Sequence, residues 1–465
     1  MVMADDAKER KRQRRSRERE LQHALGKRAQ DTSNSSVTGN ANDPPAVDAA
    51  VGKSKLKESD ITGLKYFDQL APLLERLHDD GCDRDKAGNR KLHFDQYGML
   101  ILLYLFNPVV TSLRGIQQAT ELGKVQKKLG CSRASLGSLS EAGSVFDADR
   151  LKEIIAELGS QLKPLGRDAR LKDIDQTLVL VDGTLIAALP RIMEASWRKQ
   201  NDGSGLVKWR LHTHFEVDRY VPTRIDVTPD GGGEHDERAV LERTIESDRL
   251  YVMDRGYAKF ALFNKIVEAN SSYVCRLRDN SAYEVVESRE LTDADRAAGV
   301  LSDEIVLIGQ SGKANARPDH KIRLVCVKCS PHTSRGKYKG ASTGPDSDGV
   351  LRIATNLLDV PAEIISLLYA ERWAIEIFFR FFKHLLGCRH LLSHKQNGIA
   401  LNSETGQTYC AIIACLLISL WTGRKPTKRT YEMICLYFLG VASEEELLAH
   451  LTKLKRQDEA SSKKR

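Results

Sequence analysis

The sequence predicts an α/β protein, with a mixed sheet in the middle of the chain, a helical module before it and further helices after it. Three observations carry that class. From Ile61 to about Leu158, apolar residues recur at helical spacing in short, punctuated runs. Near Thr177 the texture changes, and five strand-like runs follow, with helical stretches before the fourth and the fifth. From Ala282 to about Leu358 the chain is strand-rich again, and it then returns to helix.

The elements follow in order. "LKYFDQLAPLLERLHDD", "FDQYGMLILLYLFNP", "SLRGIQQATEL" and "DADRLKEIIAELGSQL" read as helices of a compact all-α module. Between them "GCSRASLGSLSEAGSVFD" reads as a turn-rich linker whose Ser, Arg and Gly could meet phosphates, while a scaffold with no nucleic-acid role is the alternative. "TLVLVDGTLIAAL" is a buried strand, and "KWRLHTHFEVDRYVPTRIDVT" is two strands joined at "DRYVP". "EHDERAVLERTIES" opens a helix after three glycines; the strand "RLYVMDRGY", the helix "KFALFNKIVEAN" and the strand "SYVCRLRDN" complete a β-β-β-α-β-α-β order. A meander continued through crossover helices is the topology of the ribonuclease-H-like fold. The strands "EVVESREL", "DEIVLIGQ", "KIRLVCVKC" and "GVLRIATNL" then read as an inserted β-subdomain, with "SPHTSRGKYKGASTGPDSDG" as a long exposed loop. A helix from Pro361 to Leu386 rejoins the core, and more helices follow Thr405.

At 465 residues the chain has room for two or three domains and a sizeable core. Its 71 Lys+Arg against 63 Asp+Glu give a formal charge of +8, compatible with a polyanionic partner without demanding one. The N-terminal stretch, with "KERKRQRRSRERE" in it, lacks apolar periodicity and reads as disordered; it could scan DNA or be a solvated tail. Nine irregularly spaced cysteines fit a reducing cytoplasm, and Cys326 and Cys329 read as part of a strand rather than a zinc pair. No secretory leader is expected, and "CAIIACLLISLW" is too short to span a membrane and reads as a buried helix.

Two acids stand out by position. Asp182 in "VLVDGTL" sits in or at the end of one apolar strand and Asp254 in "VMDRGY" follows another, where they face a crevice at the sheet edge or simply cap a turn. In the predicted topology their strands are neighbours, and two bare carboxylates at one spot call for a divalent cation: Mg2+, with Mn2+ as a substitute. The segment "YAERWAIEIFFRFFKHLLG" supplies a third acid. With Tyr369 at zero, Arg372, Glu376, Arg380 and Lys383 project at about 300°, 340°, 20° and 320°, a narrow polar stripe. Ile375, Ile377, Phe378, Phe379, Phe381 and Phe382 cover much of the rest, so the stripe is expected to face a cleft. A surface ladder of i,i+4 ion pairs, Arg372 with Glu376 and Glu376 with Arg380, is the alternative. Acids holding metals while Arg and Lys grip phosphates make the two-metal arrangement for displacement at phosphorus. His212, His214 and His235 read as ordinary histidines.

At these residues the chain resembles the bacterial DDE transposases of the insertion-sequence-four group. Tyr369, Arg372, Glu376 and Lys383 match the family's Y-x2-R-x3-E-x6-K signature, Asp182-Gly183-Thr184 its first acid motif and Asp254-Arg255-Gly256-Tyr257 its second. The resemblance implies that Asp182, Asp254 and Glu376 are catalytic and hold two Mg2+ ions. It also implies that Tyr369, Arg372 and Lys383 contact the DNA end. Arg380, by its place on the stripe, and Arg255 are further candidate DNA contacts, as are Trp197 and Lys199. Metal-dependent cleavage at transposon ends, a hairpin intermediate and strand transfer into target DNA are implied, as is a homodimer on paired ends. The expected division is a disordered basic tail (1–58), a helical DNA-binding module (59–165), the first part of the core (166–280), the β-rich insertion (281–358), core completion with the catalytic helix (359–400), and a C-terminal helical region and basic tail (401–465). A nuclease of the same fold without strand transfer, or a catalytically idle DNA-binding descendant, are the alternatives.

Overall fold

The computed structural model describes residues 70–80, 89–187, 208–278, 281–309, 317–329, 349–385 and 401–462. The basic tail (1–58), Trp197, Lys199 and the Ser/Gly-rich loop lie outside the described residues. Six helices come first: α1 (Ala71–Glu75), α2 (Phe94–Phe106), α3 (Leu113–Ala119), α4 (Gly123–Leu129), α5 (Leu136–Val145) and α6 (Leu151–Gln161). The segment read as a linker is largely the helix α5. Its Gly and Ser residues hid the helical period, yet the Ser135 side chain caps it by accepting from Ser138 N at 3.0 Å, and Leu139 and Ala142 are buried. Packing here overrides a weak propensity.

The middle of the chain alternates β1 (Thr177–Ala187), β2 (Lys208–Glu216), β3 (Val221–Pro229), α7 (Glu237–Glu242), β4 (Arg249–Met253), α8 (Phe260–Glu268) and β5 (Ser272–Arg276). The order read from the sequence is thus the order observed. Next come β6 (Tyr283–Ser288), α9 (Asp293–Ala297), β7 (Val300–Ile308), β8 (Ile322–Lys328) and β9 (Val350–Thr355). All nine strands form one sheet in the order β3-β2-β1-β4-β5-β9-β8-β7-β6. β1 is antiparallel to β2 and parallel to β4, and β4 is parallel to β5. The inserted strands extend this sheet through an antiparallel pairing of β9 with β5.

The helices α10 (Ala362–Glu371), α11 (Trp373–Leu385), α12 (Leu401–Thr422), α13 (Lys428–Phe438) and α14 (Glu444–Ser462) complete the chain. The single helix expected from Pro361 to Leu386 is therefore interrupted at Arg372, whose N–H bonds Tyr369 O in a tightened turn at 3.1 Å. Along α12 every residue from Tyr409 to Ile418 is buried, as an all-round apolar helix must be. Among the described residues no helix is long and apolar enough to cross a membrane.

Strand alternation gives the sheet two faces. Leu178, Leu180, Leu250, Val252 and Val274 join one core with Ile375, Phe378 and Phe382 of α11 and with α2, α6 and α12. Val179, Val181, Tyr251, Met253 and Tyr273 face the other way, against Leu241 of α7 and Leu262, Phe263 and Ile266 of α8. Each such Leu or Phe contributes about 1.5–3 kcal/mol by leaving water.

A buried ion pair ties the insertion to the helices. Arg323 of β8, 2 % exposed, donates from Nε to Asp303 Oδ1 at 2.7 Å and from Nη2 to Oδ2 at 2.8 Å. Its Nη1 also donates to Leu357 O at 3.0 Å and to Val360 O, just before α10. Removing one partner strands a charge in the interior. Arg323→Leu is therefore expected to cost about 3–5 kcal/mol, read as a lower urea midpoint at unchanged slope, with part of the loss recovered in the double variant with Asp303→Leu.

Candidate active site

Asp182 and Asp254 are brought together by register. The parallel ladder from Thr177↔Arg249 to Val181↔Met253 makes them the next pair along β1 and β4. By the two-residue period both continue the face of Leu180 and Val252, the one on which α11 packs. Asp254 also caps its own turn, its Oδ1 accepting from Gly256 N at 2.7 Å, whereas Asp182 lies inside β1, paired with Thr213 of β2, and its Oδ1 accepts from the adjacent Gly183 N at 2.8 Å. The turn-capping reading therefore holds for Asp254 and not for Asp182.

The third acid comes from across the core. Phe378 packs on Phe215 of β2 with ring centroids 5.1 Å apart, and the Tyr220 hydroxyl donates to Ala374 O at 3.3 Å, which seats the first turn of α11 over β1 and β2. Arg372 bridges the two sides: Nη2 lies 2.5 Å from Glu376 Oε1, and Nη1 lies 3.8 Å from Asp182 Oδ2. Its guanidinium carbon stands 5.9 Å from the centre of the Tyr369 ring. The Arg372–Glu376 pair of the ladder alternative is thus present, but only 18 % and 27 % exposed and joined to a sheet carboxylate.

Electrostatics mark the spot. Burial pushes the Asp182 carboxyl up to about 7, with Asp254 and Glu237 adding to the rise and Arg372 and the Gly183 amide opposing it. Burial works against the charge of Arg372, but Tyr369, Glu376 and Asp182 together hold it more firmly protonated than usual. Among the described residues the buried Tyr257 hydroxyl has no hydrogen-bond partner; burial, then Glu237, Asp182 and Asp254, keep it a neutral phenol.

Not every candidate converges. Lys383 lies two turns beyond Glu376 on α11 and is half-buried; Arg380, one turn beyond, is exposed. Arg255 is half-buried in the tight turn Arg255–Tyr257 beside Asp254. Ile377, expected against protein, is 44 % exposed and shares an outward face of α11 with Trp373, one turn before it. His212 and His214 are buried, with Nε2 2.8 Å from Thr228 Oγ1 and 3.1 Å from Thr244 Oγ1, and burial lowers both to about 4, so they are neutral imidazoles.

A fourth carboxylate was not singled out from the sequence. Glu237, the first residue of α7, is raised by burial and by Asp254 and Asp236, while Arg210 of β2, bonded to it, opposes the rise. A Cβ at Gly183 would run into the Glu237 carboxylate, and one at Gly256 would stand 2.9 Å from Asp254 Oδ1. The glycines after both strand acids thus leave room for carboxylates. An acid opening a helix after "GGG" was the available signal.

The donor set suits a hard divalent cation, since it is all oxygen, and one member is pushed up for want of compensation. A family model described as the transposase DDE domain matches residues 169–405, which includes all four carboxylates and Arg372. The chain belongs to the transposase DDE domain family. Among relatives of this DDE domain, a Sinorhizobium fredii protein (strain NBRC 101917 / NGR234) that carries the name transposase y4zB is 26 % identical over 244 residues, 52 % of this chain. The match spans 60 % of that relative, under two thirds of its length. A Geobacillus stearothermophilus protein named as transposase for insertion sequence element IS5377 is 24 % identical over 302 residues, 65 % of this chain and 71 % of its own. The piggyBac transposase synaptic complex with hairpin DNA, a cryo-EM structure, aligns over 84 % of this chain and 82 % of its own, at 11 % identity and a TM-score of 0.39, too loose a likeness to argue from.

The pH dependence follows from Asp182. Its folded value of about 7 exceeds the ordinary 3.8, so the folded state binds more protons between them and its stability falls as pH rises through that window. In urea melts with EDTA, Asp182→Asn is expected to flatten this fall and to leave the metal-free protein more stable than the parent above pH 7.

Proposed function

We propose that this chain is a DNA transposase of the insertion-sequence-four group, with a ribonuclease-H-like core and Asp182, Asp254 and Glu376 as its catalytic carboxylates. The observation that carries this is the pairing of Asp182 with Asp254 on adjacent parallel strands, on the face where Arg372 links Asp182 to Glu376. The substrate is double-stranded DNA, first the terminal inverted repeats and then the target, and the protein works as a homodimer on paired ends in the cytoplasm.

The three carboxylates would hold two Mg2+ ions, or Mn2+ in their place. When bound, the ions polarise the phosphate and make water a stronger nucleophile. The residues of the chain do the rest. Asp182 gives up its proton as its charge becomes compensated, and Arg372, no longer the sole counter-ion of Asp182 and Glu376, grips a phosphate oxygen bidentately. Tyr369 holds the guanidinium from one side. Lys383, Arg380 and Arg255 carry the flanking backbone phosphates as point charges. In the first reaction the oxygen of water bonds to phosphorus as the P–O3′ bond breaks, which frees a 3′-hydroxyl and leaves a 5′-phosphate. The oxygen of that hydroxyl then bonds to a phosphorus of the opposite strand as the P–O3′ bond to the flanking DNA breaks, which closes a hairpin and frees a 3′-hydroxyl on the flank, and opening the hairpin and transfer to target reuse the site. The helices of 59–165 serve as the end-binding module, 166–280 with 359–400 as the catalytic core, 281–358 as the β-rich insertion, and 401–465 as part of the dimer contact.

The test is purified protein with terminal-repeat DNA, a target plasmid and Mg2+. Cleaved ends and joined products are expected; nicks without joining would make the chain a nuclease instead. Asp182→Asn, Asp254→Asn and Glu376→Gln should each abolish cleavage while end binding by gel shift persists, and full cleavage by any one of them overturns the assignment.

Glu237 is proposed as a positioning residue for this carboxylate set. Glu237→Gln is expected to raise the Mg2+ concentration for half-maximal cleavage by about 10–100-fold, an effect that a merely structural loss would not confine to the metal titration.

A further inference from the structure

The geometry points to Arg276 as a further DNA contact of the site, a guanidinium that holds the backbone phosphate beside the scissile one; this rests on the transposase reading above. Register places it there. The parallel ladder of β4 with β5 runs from Leu250↔Ser272 to Met253↔Cys275, so Arg276 is the next partner of Asp254, as Asp254 is of Asp182. Asp182, Asp254 and Arg276 thus form one row across β1, β4 and β5, about 10 Å long at two strand spacings.

The row shares a face. Val274 joins the core of Leu180 and Val252 whereas Cys275 belongs to the opposite one, so by the two-residue period Arg276 continues the Val274 side. On that side α10 packs against β5. Burial raises the Tyr369 phenol of α10, and the charges of Arg372 and then Arg276 oppose the rise, which sets both guanidinia near one hydroxyl. The backbone of Arg276 is fixed from its other edge: the residue pairs with Ile353 of β9, and Leu277 N donates to Arg352 O at 2.8 Å. The side chain is therefore presented by a strand of the sheet rather than by a loop, half-buried between the buried Cys275 and Leu277.

The chemistry selects phosphate. Arg372 stands at the Asp182 end of the row and Arg276 at the other, so the acid pair is bracketed by cations. A DNA strand whose scissile phosphate lies over the acids carries its neighbouring phosphates to either side, and the one over β5 meets Arg276. A guanidinium grips two phosphate oxygens at once, and such a contact positions the strand without reading its bases.

The test is fluorescence anisotropy of a labelled terminal-repeat duplex with the full chain in EDTA, across a KCl series. Arg276→Gln is expected to weaken binding about tenfold and to lower the slope of log affinity against log salt by about 0.9, equally for duplexes of altered terminal sequence. Arg276→Lys should keep the parental slope but bind at least about threefold more weakly, since a point charge replaces a bidentate grip. It keeps the stem and the charge, so it decides the question even where the Gln variant does not fold. Lys265→Gln, on the exposed side of α8 across the sheet, should keep both parental values. With the parent chain, a neutral methylphosphonate at one phosphate next to the cleavage position should cost about tenfold, and Arg276→Gln should abolish that cost at that position alone. A parental slope in Arg276→Gln, parental affinity in Arg276→Lys, a slope lowered equally by Lys265→Gln, or a methylphosphonate cost that persists in Arg276→Gln would each overturn the contact and leave the transposase reading standing. A parent chain that does not bind the duplex would overturn both.

Discussion

The structure depends on one electrostatic conflict: two carboxylates forced side by side, mostly out of water. The parallel ladder of β1 with β4 sets Asp182 beside Asp254. Burying charge without compensation costs several kcal/mol, so the pair must be protonated, countered or bridged. The metal-free chain uses the first two routes. Asp182 is pushed to about 7, and Arg372 comes within 3.8 Å of it. Such a site is kept at a cost to stability, as function-bearing sites commonly are.

The rest of the fold can be read as what holds Glu376 against that pair. α11 has no hydrogen-bonded strand to fix it, so its position rests on aromatic packing and on struts from the insertion. Phe378 meets Phe215 and stacks near Phe382, with centroids 5.9 Å apart. Asp295 of the insertion accepts from Glu363 N at 2.9 Å, at the first turn of α10, and hydrogen bonds from Glu363 and Thr292 hold it near 2 despite its burial. The Arg323–Asp303 pair reaches the loop just ahead. A segment that lies between the second and the third acid in sequence therefore helps to place the helix pair that carries the third. Joining the same sheet through β9 and β5 gives that linkage stiffness, since a separately hinged subdomain could not transmit it.

The strand order and both strand acids were legible because β patterning and chain order constrain topology strongly. The polar stripe was legible too, but its projection assumed an unbroken helix. The turn at Arg372 separates α10 from α11, yet Arg372 and Glu376 still meet four residues apart, while Ile377 surfaces beside Trp373 on a face that the projection counted among those covered by protein. α5 was missed because Gly and Ser residues carry no apolar period and are helical only through Leu139, Ala142 and the Ser135 cap. Glu237 could not be placed from periodicity at all, since nothing in the spacing of a six-residue helix says which sheet edge its first turn will touch.

Glu237 also alters what the short motifs mean. In "DGT" and "DRGY" the acids attract attention and the glycines look like turn punctuation. Yet Gly183 has no positive φ in this structure, so conformational freedom does not explain it. Space does: a methyl at Gly183 would displace the Glu237 carboxylate, and one at Gly256 would press on the Asp254 oxygen that its own amide engages. The glycines are therefore part of the site's electrostatics. Gly183 lets Glu237 approach a strand that already carries Asp182, and the crowded charges are countered by Arg210 on one side and Arg372 on the other. Seen this way, the two arginines are paired counter-ions across one carboxylate cluster. The two differ in anchoring: Arg210 is also held by Asp230 at 2.9 Å, whereas Arg372 is held by Glu376 of its own helical region.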